Sequence, residues 1–113
     1  FLNGIDSNRF RRDFKLEGSS NYAFNLILKE RNFDLVERLM KAMDREGVEY
    51  RRGSSGGGNQ LRQPYLHGVV DENEFKNYPV VEHVHFFGFY IGNYPDLTEE
   101  KIRTLCDILN KII

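Results

Sequence analysis

Arg62 heads the run Arg62-Gln63-Pro64-Tyr65. A guanidinium can hold a carboxylate or a phosphate through two parallel hydrogen bonds, and Pro64 biases the backbone before it toward an extended form. Anion binding is therefore one reading of Arg62, and a solvated surface arginine is the other. The preceding Gly56-Gly57-Gly58-Asn59 could cradle an anion through exposed amides. It lacks the Gly-x-x-x-x-Gly-Lys-Ser/Thr order of a phosphate loop and the spacing of a dinucleotide fingerprint.

His83 and His85 flank Val84, with Glu82 beside them and His67 further back, so metal chelation needs weighing. On a helix, positions two apart diverge by about 200°, whereas on a strand they share a face. No further ligand stands at a recognisable spacing, and the expectation is hydrogen-bonded or interface histidines with no metal. Neither Ser54 nor Ser55 has a histidine-carboxylate pattern that would mark a nucleophile. Lys15, Lys29, Lys41, Lys76, Lys101 and Lys111 show no pocket chemistry, and none is assigned as a Schiff-base residue. The aromatic run Phe86, Phe87, Phe89 and Tyr90 offers stacking faces for bases. It lacks the basic residue and glycine that open the base-stacking strand of an RNA-recognition domain.

The positioning elements follow from periodicity. Tyr22, Phe24, Leu26 and Leu28 alternate with Ala23, Asn25 and Ile27, which predicts a strand within Ser19 to Lys29 covered on at least one side. Asn32 is placed to cap a helix with the apolar stripe Leu35, Val36, Leu39, Met40 and Met43, and Gly47 to end it in a left-handed conformation. The methionines read as core filling. Val48 to Arg52 is a short strand candidate, and Gly53 to Leu66 a shaped loop in preference to a free linker. Asp71 to Tyr78 reads as a brief polar helix or turn. Pro79 then suits the first position of a helix over Val80 to Phe87, and Gly88 permits a sharp exit into a strand over Phe89 to Ile91. Thr98 caps a last helix, with Glu99 and Glu100 in its first turn and Ile102, Leu105, Cys106, Leu109 and Ile112 on its core side.

This order predicts an α+β two-layer small domain, with a short, mostly antiparallel sheet and the long helices on one face. At 113 residues with 40% hydrophobic and 29% charged side chains, one small core is available. A core of this size is expected to lean on a partner surface for stability. The net charge of -1 provides no field for nucleic acid or an acidic membrane. The apolar runs fall far short of the roughly 20 residues that span a bilayer, and no leader is evident, so the default expectation is cytoplasmic. The single cysteine, Cys106, sits at helical spacing with Ile102 and Leu109 and reads as a buried structural thiol.

Two segments carry a family resemblance: the glycine-rich loop leading into Arg62-Gln63-Pro64-Tyr65, and Phe89-Tyr90-Ile91-Gly92 followed by Tyr94-Pro95-Asp96-Leu97-Thr98. With Asn21-Tyr22-Ala23-Phe24 and the Glu37 to Gly47 helix, they extend the match across most of the chain from Ser19 onward. The chain resembles the carboxy-terminal small domain of DegT/StrS-like pyridoxal-phosphate enzymes that modify nucleotide-linked sugars, closest to the sugar 3-dehydratase branch. The resemblance implies the small domain of a fold-type I enzyme over residues 19–113, with residues 1–18 as a remnant of the interdomain connection. It implies 3-dehydration or transamination of a 4-keto-6-deoxy sugar in surface polysaccharide, including lipopolysaccharide, biosynthesis. Pyridoxal phosphate would be held by a large domain outside this chain, with no catalytic or cofactor-binding residue within it. The implied partners are a nucleotide-linked sugar, an amino donor and a second subunit in a homodimer. Arg62 would hold the diphosphate or the donor carboxylate, and Tyr65 and His85 would border the sugar or donor pocket. A free-standing interaction or regulatory module on a ferredoxin-like fold is the alternative.

Overall fold

A three-stranded antiparallel sheet in the order β1-β3-β2 organises the chain, as seen in a computed structural model that describes residues 1–53 and 58–112. The strands are β1 (Ala23–Ile27), β2 (Tyr50–Arg51) and β3 (Gly88–Gly92). The helices are α1 (Phe33–Arg45), α2 (Pro79–Phe87) and α3 (Glu99–Asn110), with short 3-10 turns at Gln60–Arg62, Pro64–Leu66 and Glu74–Asn77. The protein is a small α+β domain.

Pairing of Phe24 with Ile91 and of Leu26 with Phe89 puts these four side chains on one face of the sheet. Against that face lie Leu35, Val36, Leu39 and Met43 of α1, and Leu105, Cys106 and Leu109 of α3. The alternation read from the sequence thus holds, but β1 is shorter than the predicted strand because its partner β3 runs only from Gly88 to Gly92. Beyond it, Asn93 N still donates to Tyr22 O at 2.7 Å.

The helix ends form where local chemistry directs them. Asn32 Oδ1 accepts from Leu35 N at 2.9 Å to start α1. Gly47, at φ 68°, ends it, with Gly47 N donating to Asp44 O at 3.2 Å and Val48 N to Met43 O at 2.8 Å. Thr98 Oγ1 accepts from Lys101 N at 3.3 Å to start α3. Between α2 and β3 there is no loop at all. Gly88 makes this possible because a Cβ there would lie 2.5 Å from Val84 O.

The amino-terminal segment belongs to the same core. Phe10 bridges Leu28, with Arg11 N donating to Ile27 O and Lys29 N to Arg9 O, both at 2.8 Å. Phe10 is fully buried and Ile5 nearly so. Arg9 also reaches the end of α3, where Nη2 donates to Asn110 O at 2.6 Å and Nη1 to Ile112 O. Asn110 returns two bonds, accepting from Asp6 N at 2.8 Å and donating to Gly4 O at 2.7 Å. Residues 1–12, within the span expected to be an interdomain connection, therefore supply core side chains and the carboxy-terminal cap of α3.

Candidate functional site

The first turn of α2 follows Pro79, so Glu82, His85 and Phe86 fall on one side of the helix at i, i+3 and i+4. Facing them is the chain after Gly58. Asn59 Oδ1 accepts from Leu61 N at 3.0 Å and fixes the 3-10 turn that carries Arg62. Arg62 meets Glu82 through two bonds, Nε to Oε1 at 2.6 Å and Nη2 to Oε2 at 2.7 Å. Its guanidinium also lies 4.0 Å from the Phe75 ring centroid and 4.9 Å from that of Phe86.

Asn59 joins the two sides. Its side-chain Nδ2 donates to Glu82 Oε1 at 2.8 Å, and its backbone N donates to His85 Nδ1 at 3.1 Å. Since Nδ1 accepts, neutral His85 carries its proton on Nε2. Asn59 is the buried polar residue of the described chain, at 2% exposure, and its side chain is satisfied at both ends. Two glycines let the backbone close over the imidazole. A Cβ on Gly53 or Gly58 would lie 2.6 or 2.8 Å from His85 Nδ1, and Gly58 has φ 107°. The intervening residues 54–57, which include Gly56 and Gly57 of the candidate amide cradle, lie outside the described residues.

Charge is balanced within this network. The hydrogen bond from Arg62 holds the Glu82 carboxyl below its ordinary range, and the same bond raises Arg62. Burial lowers His85, with help from the Arg62 charge, so the imidazole favours its neutral form. The Arg62 edge expected to be open to a ligand is thus shared with an internal carboxylate, leaving Nη1 and the Nη2 edge away from Glu82 as further donors. Tyr65 stands apart at 65% exposure, its hydroxyl donating to Gln60 Oε1. Arg62 and His85 are brought together around Asn59 and Glu82, while Tyr65 marks the exposed flank of the next turn.

In the sequence Asn59 reads as part of an amide cradle and Glu82 as a neighbour of the paired histidines, and nothing there joins the two to each other. The i, i+3 spacing of Glu82 and His85 on the predicted helix was the available signal. Arg52 went unremarked. It donates to Phe86 O, lies 3.5 Å from Met40 Sδ through Nη1 and 5.0 Å from the Phe89 ring centroid, and burial lowers its pKa. The paired histidines part as helical geometry requires. His83 Nε2 donates to Leu28 O at 2.6 Å, on a different neighbour from His85.

Among the described residues no cluster of three or more His, Cys, Asp or Glu is placed to hold a metal, and no helix is long and apolar enough to cross a membrane. Cys106 is buried, with Sγ 3.6 Å from Phe1 O, and burial pushes its thiol up. No known family model matches the chain, and no curated protein or solved structure matches it either.

Proposed function

We propose that this chain is the carboxy-terminal small domain of a pyridoxal-phosphate enzyme that dehydrates or transaminates a nucleotide-linked 4-keto-6-deoxy sugar. The setting is cytoplasmic synthesis of surface polysaccharide, with the parent enzyme a homodimer. One observation supports this reading above others. The segment containing Arg62-Gln63-Pro64-Tyr65 meets α2, which leads directly into Phe89-Tyr90-Ile91-Gly92, through Arg62, Asn59, Glu82 and His85. Tyr65 and Val69 nearby in sequence are 65% and 71% exposed, apolar surface suited to cover by another domain or subunit.

At this face the chain's residues would act by binding. The donors of Arg62 not used by Glu82 would engage a diphosphate or donor carboxylate, the Tyr65 hydroxyl would meet a sugar hydroxyl, and neutral His85 would offer its Nε2 proton. The Asn59, Arg62, Glu82 and His85 network contains no lysine, so it offers no covalent anchor for the cofactor. The reading places the cofactor in the large domain, held through a lysine or, in a dehydratase, with a histidine in its place.

The test is expression of the whole open reading frame that contains this chain. The reading expects an absorbance band of bound cofactor that borohydride removes, together with turnover of a nucleotide-linked 4-keto-6-deoxyhexose. Arg62→Ala in that protein should weaken sugar or donor binding by about 1.5 to 3 kcal/mol through loss of a charged hydrogen bond. A reading frame without a cofactor domain, yielding a colourless protein, would replace this reading with that of a ferredoxin-like interaction module.

A further inference from the structure

The opposite histidine of α2 leads to a second place of interest. His83, Pro79 and Val80 form one wall of a cleft of about 600 Å³, and Ser7, Arg11, Arg12, Asp13 and Lys29 form the rest. The volume falls within the roughly 300 to 1,000 Å³ of small-ligand sites. Three cations and one carboxylate line it. Asp13 is bound to Arg11 through Nε at 3.0 Å and Nη2 at 2.6 Å, which depresses the Asp13 carboxyl to about 2. Asp6, the other nearby carboxylate, is taken by Arg9 Nε at 2.8 Å.

Arg12 and Lys29 are left over. Arg12 donates to the neutral Asn3 Oδ1 at 3.3 Å. Among the described residues neither Arg12 nor Lys29 has a carboxylate within ion-pair distance, although the charge of Lys29 is felt at longer range by Asp6 and Asp13. Backbone pairing enforces the crowding. Phe10 bridges Leu28 with both side chains in the core, so Arg11 and Lys29, each next in sequence, are turned to the other face of the pair, and Arg12 joins the cleft from beyond the bridge. Like charges on neighbouring strands repel and destabilise the pairing. A bound dianion reverses the sign of that interaction.

We infer that this cleft binds a phosphate-bearing small molecule, with Arg12 and Lys29 on the phosphate, Arg11 shared between the phosphate and Asp13, and the organic group against Pro79 and Val80. A guanidinium and an ammonium together suit a doubly charged phosphate, and the guanidinium can engage two of its oxygens. The inference does not depend on the proposed sugar-modifying reaction, because it uses none of the residues of the Arg62 network.

Amide-resolved NMR titration of the protein at low salt, with inorganic pyrophosphate and with phenyl phosphate, tests it. Both probes should give saturable shifts confined to residues 7–13, 29 and 79–83, and Val80→Ser should weaken phenyl phosphate alone. The Arg12→Gln, Lys29→Gln double variant changes two exposed side chains and should reduce pyrophosphate affinity at least about tenfold, a factor worth about 1.4 kcal/mol. Arg103→Gln, on α3 and outside the cleft lining, should bind as the unaltered protein does. Shifts that do not saturate, shifts spread evenly over the basic residues, succinate binding as tightly as pyrophosphate, or undiminished affinity in the double variant would each overturn the assignment.

Discussion

Arg62 and Glu82 face each other fork to fork, Nε to Oε1 at 2.6 Å and Nη2 to Oε2 at 2.7 Å, with the Phe75 ring 4.0 Å from the guanidinium carbon. The pair fastens the 3-10 turn after Asn59 to α2 and presets the direction of the arginine. Its side chains are 31% and 14% exposed, which places the pair between a solvated bridge and a buried one.

Replacing Glu82 with Gln should therefore cost about 1 to 2 kcal/mol in urea unfolding, because Arg62 would keep its place over two rings without its counter-charge. Loss of the Asn59 to His85 contact should accompany it, visible as a change in the His85 ring resonances. Unaltered stability would mean that the pair is not fixed in solution.

Acid should weaken the fold in two stages. His85 is lowered from 6.5, so below about that value the unfolded chain binds a proton that the folded one resists, and stability falls until the folded group also titrates. Glu82 is lowered from 4.5, so its contribution is present above that value and lost as the pH falls through its folded pKa. His85→Asn retains an acceptor for the Asn59 amide without a titrating ring, and should abolish the upper stage while leaving the lower one. A variant whose stability still declines just below 6.5 would remove His85 as the cause.

Gly88→Ala should destabilise by about 1 to 3 kcal/mol, the range of an overpacked site, because its Cβ would meet Val84 O at 2.5 Å. Gly92, at the other end of β3, is the control, since a Cβ there meets nothing within 4 Å. Comparable denaturation midpoints for the two alanine variants would contradict the direct α2 to β3 junction.

Phe10→Ala should cost about 3 to 5 kcal/mol, the usual range for removing a fully buried phenylalanine. A detachable connection would lose almost nothing. Thermal unfolding of this variant thus decides whether residues 1–12 are part of the cooperative unit.

What the sequence disclosed was local. Asn32, Gly47, Pro79 and Thr98 mark helix ends by hydrogen bonds or backbone preferences within a few residues, and the β1 alternation states which side chains face the helices. The hidden features join distant positions. Arg9 to Asn110 spans 101 residues, and Phe10 opposite Leu28 depends on a bridge too short to impose a pattern. Arg62 was legible as a charged-group binder. That its present partner is Glu82, 20 residues away, depends on how α2 docks. Tyr65 shares a short motif with Arg62 but belongs to the next 3-10 turn, where proximity in sequence does not produce convergence.

The clasp of Arg9, Asp6 and Gly4 on the last turn of α3 also has a mechanical side. Residues 4–9 and 110–112 meet at one corner, and tension pulling these two segments apart loads these few hydrogen bonds one after another instead of shearing the sheet as a whole. The corner should peel open at low force while β1, β3 and β2 stay paired, making it the compliant joint of the domain.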